Sequence, residues 1–381
     1  MAQEFDREQL RDLTEFAKTE ARRLGFSLVG VTSPEPPPHL EVYEKWLEAG
    51  RHGEMVYLET DRARHRRANP REILPECASI LVLAVNYLPQ QPARGGVAAY
   101  AVGDDYHDVL VDRLKQLISS MEERLGREIM NRYYTDTGPL LERELAQRAG
   151  LGWIGKNTCL ISPQHGSYFL LAELLLDLPL VPDEPITTDH CGECTLCIEA
   201  CPTACILPDR TLDATRCISY LTIELKGAIP DELRPLTSDW VFGCDICQQV
   251  CPWNLRFAEP TTDLAFQARP FLQDPRPRDF LQLSPEGYRR ELSMSPLKRA
   301  KHAGLLRNTA LAAANLEDRS TVSDLVRLLS EEADPIPRTH AAWALGQLGE
   351  VEALRAALEN EPDSGVVAEI RAAIEVAADR A

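Results

Sequence analysis

At 381 residues with 44% hydrophobic side chains, the chain is long enough for two or three domains, each with its own core. A net charge of −18 excludes a surface that is basic all over, and no stretch is long and apolar enough to span a membrane. Nine of the eleven cysteines fall between Cys191 and Cys251 at metal-ligand spacings with no export signal ahead of them, which speaks against a secreted disulfide scaffold and for a reducing, cytoplasmic setting.

From Met1 to Leu24, Phe5, Leu10, Leu13, Phe16, Ala17, Ala21 and Leu24 form the stripe of an amphipathic helix, closed by Gly25. FSLVGVT at Phe26 and SILVLAVNY at Ser79 read as strands separated by polar or helical segments, an α/β or α+β pattern. Between them Arg62 to Arg71 carries five arginines and one histidine with no acid. A helix is expected from about Val109 to Leu125. In the block Tyr134 to Ser162, Gly138, Gly150, Gly152 and Gly155 surround a short helix from Pro139 to Arg148. Asp136, just ahead of it, reads either as a helix N-cap or as a catalytic acid. YFLLAELLLDL at Tyr168 is apolar enough for a buried strand or a short helix, and periodicity does not choose. Prolines and acids from Leu180 to Ile186 mark a boundary.

Beyond it, Cys191, Cys194, Cys197 and Cys201 lie in CGECTLCIEACP, the C-x2-C-x2-C-x3-C-P run of bacterial two-cluster ferredoxins. Three thiolates on short loops wrap one 4Fe-4S cube while the fourth reaches a second. The partner run CDICQQVCP supplies Cys244, Cys247 and Cys251 and lacks one ligand, which Cys217 completes. One cluster is therefore assigned Cys191, Cys194, Cys197 and Cys251, the other Cys201, Cys217, Cys244 and Cys247. The Cys-Pro endings favour iron-sulfur over a pair of zinc sites. Cys77, Cys159 and Cys205 are left as small buried residues.

A proline-rich linker runs to about Pro285. From Pro296 the chain is rich in Ala and Leu, and LLRNTALAAANL at Leu305 is echoed by IPRTHAAWALGQL at Ile336 and more faintly by VVAEIRAAI at Val366, as in a short HEAT-type solenoid; an ordinary helical bundle is the alternative. The segment Arg289 to Arg307 holds six basic residues against Glu291 alone.

The string TDTGPLLERELAQRAGLGWIGKNTCLI, followed by CGECTLCIEACPT, RCISYLTIELKGAIP, GCDICQQVCPWN and SPLKRAKHAGLLRN, resembles the epoxyqueuosine reductase family over nearly the whole chain. The resemblance implies a cytoplasmic α+β multidomain enzyme that carries cobalamin and two 4Fe-4S clusters: an α/β corrinoid-binding catalytic domain over 1–180, a ferredoxin-like module over 181–285 and a HEAT-like α-solenoid over 286–381. It implies reduction of the epoxide on the wobble nucleotide of tRNA, with an external electron donor, no membrane partner and a monomeric chain.

By the same resemblance Asp136 is the proton donor, and Arg67, Tyr106, His107, Trp153, Gly155, Lys156, Asn157, Ser162, Tyr220 and Asp245 are candidates for cofactor contact. Asp105-Tyr106-His107 begins like the D-x-H-x-x-G cobalamin motif, but Leu110 stands where its glycine belongs, in keeping with a cofactor that takes no lower histidine ligand. Lys226, Lys298, Arg299, Lys301 and Arg307 are the expected tRNA contacts. A soluble corrinoid dehalogenase and a ferredoxin-like electron carrier with a docking solenoid are the rival readings.

Overall fold

The computed structural model describes residues 5 to 380. The first helix, α1 (Arg7–Arg23), starts where Asp6 accepts hydrogen bonds from the Glu8 and Gln9 amides while the Gln9 side chain returns one to the Asp6 amide, a capping box. Its apolar stripe packs on a four-stranded sheet of order β1-β2-β6-β3, made of β1 (Leu28–Thr32), β2 (Ser79–Asn86), β3 (Asn131–Tyr134) and β6 (Phe169–Leu176). The strands β4 (Trp153–Ile154) and β5 (Leu160–Ile161) form a separate hairpin ladder.

The segment at Tyr168 is thus a strand. It is buried on both faces between β2 and β3, which explains a run too apolar to show alternation. All ladders are antiparallel, which corrects the expectation of an α/β domain: helices and strands do alternate here, but the fold is α+β.

Connections between strands carry α2 (Leu40–Glu48), α3 (Asp61–Ala68), α4 (Tyr106–Leu125) and α5 (Glu142–Arg148). α4 begins three residues earlier than its periodicity predicts, because the buried Asp105 carboxylate caps the His107 amide. α5 is shorter than expected, since Pro139 to Leu141 remain outside it.

The cysteine segment is mostly loop, with the short helices α6 (Leu196–Glu199), α7 (Ile218–Ile223), α8 (Ile246–Gln249) and α9 (Pro252–Phe257). The proline-rich linker contains α10 (Pro277–Leu281) and runs into α11 (Pro285–Leu292). One hydrophobic core combines Val97, Ala101 and Val102 with Val241, Phe242, Leu272, Phe280, Leu297 and Leu305, so segments far apart in sequence fold as one body.

The C-terminal region holds α12 (Lys301–Asn315), α13 (Val322–Glu331), α14 (Pro335–Gln347), α15 (Val351–Leu358) and α16 (Ser364–Arg380). The three sequence echoes are α12, α14 and α16, which stack in that order. A Cβ on Gly346 would lie 2.8 Å from the Ala373 Cβ, so glycine is what allows α14 and α16 to approach. Among the described residues no helix is long and apolar enough to cross a membrane.

Candidate functional site

The eleven cysteines are all free thiols. Cys191, Cys194, Cys197 and Cys251 line one cavity of about 170 Å³ together with Lys156, Asn157, His190 and Trp253. Burial raises the Cys197 thiol, and charge on Cys191, Cys251 and Cys194 raises it further, so these four groups share one electrostatic environment. Among the described residues no three such side chains converge on one point, as a single ion requires; four thiols around a cavity suit the corners of a cube. The buried Trp153 indole N–H beside Cys191 and Cys251 has no acceptor within the protein, and cluster sulfide is the acceptor such a donor lacks.

The second set has the same character. Burial raises the Cys244 thiol, and so does charge on Cys217 and Cys201, while Cys247 is raised by its contact with Cys159, by burial and by charge on Cys244 and Cys217. Cys205 differs from the buried bystander expected of it: its sulfur lies 3.4 Å from that of Cys201 and also meets Cys217. Cys159 likewise touches Cys247. Only Cys77 is a plain core residue, donating to the Ser79 carbonyl, with burial pushing its thiol up to about 11.

Asp136 is not a helix cap. It is the central residue of a tight turn closed by the Thr137 amide on the Thr135 carbonyl at 2.6 Å, with φ +56°, a left-handed conformation that is costly for a residue other than glycine. Its amide donates to Glu142 Oε1 at 2.8 Å, and its side chain, 69% exposed, accepts from the Tyr106 hydroxyl at 2.7 Å. His107 stacks on Tyr106 with ring centroids 4.0 Å apart and brings Nε2 to 3.9 Å from Asp136 Oδ2.

The His107 Nδ1 is held 2.7 Å from Asp105, and Lys298 Nζ lies 2.6 Å from the other Asp105 oxygen. Burial would raise the Asp105 carboxyl, but the hydrogen bonds from His107 and Lys298 outweigh it and hold it well below the usual range. Burial and the Asp136 charge push the Tyr106 phenol far up, so it stays a donor to Asp136. Tyr57 and Val56 are exposed nearby, and Tyr57 lies within the field of Asp136 and Arg299. An exposed carboxylate beside an exposed apolar and aromatic surface suits a broad planar ligand with an apolar face.

The other candidates divide between two places. Arg67, at the end of α3, sits over the Tyr43 ring and lines a shallow cleft with Leu140 and Leu141, just past the Asp136 turn. Trp153, Lys156 and Asn157 lie against the cysteine loops instead: Lys156 donates to the carbonyls of Gly192 and Cys194, and Asn157 to that of Cys247. A Cβ on Gly155 would collide with Ile161 and Asn157. Ser162 is fully buried in the turn to Gly166. The buried Tyr220 hydroxyl accepts from the Glu54 amide. Asp245, between Cys244 and Cys247 in the chain, accepts from the Ala99 amide at 2.6 Å and is pushed up to about 6 by burial.

Among the basic residues the structure makes one correction. Arg307 does not face solvent: it is 1% exposed and its guanidinium donates to the carbonyls of Leu221, Leu225 and Gly227, joining α12 to the cysteine segment. The helical period that places Lys301 outside turns position 307 inward. Lys226 and Lys301 are exposed, and Arg299 is half-exposed while paired with Glu224. Burial lowers the Lys226 ammonium, and so do Arg299 and Lys301, which puts the three cations in one patch. Arg299 also feels the charge of Asp136, so the patch adjoins the candidate acid. Glu142, Glu173, Asp105, Cys159 and Cys205 were not singled out in the sequence as site residues; a glutamate inside the apolar run of β6 was the one available signal.

Comparison with known proteins supplies a family. The family model described as "4Fe-4S double cluster binding domain" matches residues 190–254, and that described as "Epoxyqueuosine reductase QueG, DUF1730" matches residues 67–137. The chain is 40% identical over 347 residues to the epoxyqueuosine reductase of Pseudomonas aeruginosa, covering 89% of this chain and 95% of that protein. It is 39% identical over 350 residues to that of Escherichia coli K12, covering 89% and 90%. A crystal structure of an epoxyqueuosine reductase with an epoxyqueuosine-modified tRNA-Tyr stem loop is similar over 96% of this chain and 99% of that one, with a TM-score of 0.89 and 31% identity. The Streptococcus thermophilus enzyme is similar over 95% and 98%, with a TM-score of 0.84 and 32% identity.

Proposed function

The chain belongs to the epoxyqueuosine reductase family, and from that premise we propose that it reduces epoxyqueuosine to queuosine at the wobble position of tRNA, with Asp136 as proton donor. The observation that carries the reading is the position of Asp136: exposed on a strained turn, hydrogen-bonded by Tyr106, flanked by His107 and bordered by the cationic patch. Bound cobalamin supplies a strongly nucleophilic Co(I), and the two clusters supply its electrons one at a time.

The remaining work falls to the chain. Cys191, Cys194, Cys197 and Cys251 hold one cluster and Cys201, Cys217, Cys244 and Cys247 the other. Tyr106 and His107 fix the Asp136 carboxyl beside the apolar surface at Val56 and Tyr57, which would hold the corrin together with Arg67, Tyr220 and Asp245. Trp153, Gly155, Lys156, Asn157 and Ser162 would hold the corrin on the side that faces the cysteine loops. Asp136 gives its proton to the epoxide oxygen as the ring opens. Lys226, Lys298, Arg299 and Lys301 hold the phosphates of the anticodon stem while the wobble base is splayed into the site.

On this reading the division into 1–180, 181–285 and 286–381 separates chemistry, electron relay and a HEAT-like RNA-binding region. The protein works as a monomer in the cytoplasm and takes electrons from an external donor. The test uses protein reconstituted with iron, sulfide and cobalamin and given an epoxyqueuosine-modified stem loop under reducing conditions. Queuosine should form, and Asp136→Ala should keep both cofactors by absorption while losing turnover. Full turnover in that variant would remove Asp136 from the chemistry.

A further inference from the structure

Behind the Asp136 turn lies a pair of carboxyl groups with no cation between them. Glu173 sits in β6 at 0% exposure, directly across the ladder from Tyr134 on β3 and Val82 on β2. Neither of its oxygens meets a donor in the protein, and the group it faces is the carboxyl of Glu142, at the start of α5. The other titratable or charged groups around the pair are Asp136 from the turn, Arg143 from α5 and Tyr106 from α4. Arg143 directs its guanidinium to Thr158, on the other side. A buried, unpartnered carboxylate is costly, and two carboxyls in contact do not both ionise at neutral pH.

The chemistry of the proposed reaction, on which this inference rests, requires what such a pair holds. Converting an epoxide to an alkene consumes two electrons and two protons and releases the oxygen as water. The donor supplies the electrons through the clusters. Asp136 supplies one proton, and a stem loop bound over its exposed side chain would keep solvent from returning another.

We propose that Glu142 and Glu173 are positioning residues that each hold a proton behind Asp136, and that Glu142 gives its own to replenish Asp136 within one turnover, so that the oxygen leaves as water. Glu142 accepts the Asp136 amide at 2.8 Å and thereby holds the strained turn. Protein surroundings and the Asp136 charge push the Glu142 carboxyl up to about 8, and burial and Glu142 raise that of Glu173. At neutral pH the pair therefore holds its protons behind the Asp136 turn. As the second C–O bond breaks, the departing oxygen draws a proton from Asp136, which recovers one from Glu142; the Glu142 carboxylate left behind accepts a hydrogen bond from protonated Glu173.

The test is the pH profile of single-turnover conversion of an epoxyqueuosine-modified stem loop. The wild-type rate should fall as pH rises through about 8. Glu142→Gln keeps an acceptor for the Asp136 amide but carries no proton to give, so at neutral pH its rate should fall about 100-fold and the alkaline limb should vanish. Stem-loop affinity should stay within about twofold. Glu173→Gln still offers Glu142 a hydrogen bond but is no longer an ionisable neighbour, and should shift the limb. Wild-type rates and profiles in both variants would overturn the proposal. Should Glu142→Gln not fold, infrared spectra decide: the wild type must show the carbonyl stretch of a buried protonated carboxyl that Glu173→Gln lacks, and its absence overturns the pair. An inactive wild type would count against the assigned reaction instead, and the infrared result would stand apart from it.

Discussion

Arg307→Ala should destabilise the protein by about 3–5 kcal/mol without weakening RNA contact in the molecules that remain folded. The side chain is 1% exposed and donates to three main-chain carbonyls, those of Leu221 at 2.5 Å, Leu225 at 2.8 Å and Gly227 at 2.7 Å, besides the Asn308 side chain. Hydrogen bonds to a charged group contribute about 1.5–3 kcal/mol each, so three would sum to about 5–9 kcal/mol. Water entering the space left by the side chain recovers part of that, which brings the expected loss into the range for breaking a buried charged contact. Arg307→Lys keeps the charge but not the fork, and should fall in between. Denaturant titration of the cofactor-loaded protein measures the loss, and stem-loop binding at several salt concentrations measures the contact. Unchanged stability together with a salt slope reduced by about one would refute the reasoning, because that is the mark of a phosphate contact.

Lys301→Glu should weaken stem-loop binding and flatten its salt dependence while leaving the cobalamin spectrum unchanged, whereas Lys298→Glu should also lower turnover, since it sets a carboxylate against Asp105 and frees His107; titrations at two salt concentrations with a turnover assay separate them. His340 is fully buried, accepts the Ile229 amide and donates to the Ile336 carbonyl, and burial with Arg234 lowers its pKa to about 3. Its unfolded form takes up a proton near pH 6.5, so stability should decline by up to about 1.4 kcal/mol per pH unit as pH falls from there toward 3, a slope that His340→Gln should flatten in denaturant titrations. Cys217→Ala should halve the iron per chain, whereas Cys205→Ala should leave it unchanged; equal losses would make Cys205 a ligand.

The cysteine spacing and the resemblance made the chemistry legible before any fold was known, because the short Cys-x2-Cys runs that supply most ligands of each cluster leave a local record. The same is true of α1, with its stripe and capping residues, and of the three helical echoes. Asp136 was visible as a residue but not as a conformation: a helix cap and a catalytic acid look alike in TDTGP, and only the turn closed between Thr135 and Thr137, with φ +56°, separates them. The direction of Arg307 was equally hidden, since a basic run does not reveal which of its members points inward.

What the sequence determined by itself is local: the ligand runs, the helix starts, the apolar strands and the membership of a family. Tertiary structure alone decided the relations between distant residues. It brought Cys217 and Cys205 together beside Cys201, set Lys298 on Asp105 across more than 190 positions, and paired Glu142 of a helix with Glu173 of a strand. The physical reason is that a hydrogen bond or a charge acts over a few ångströms of space, and the chain crosses that space many times before it returns to the same place.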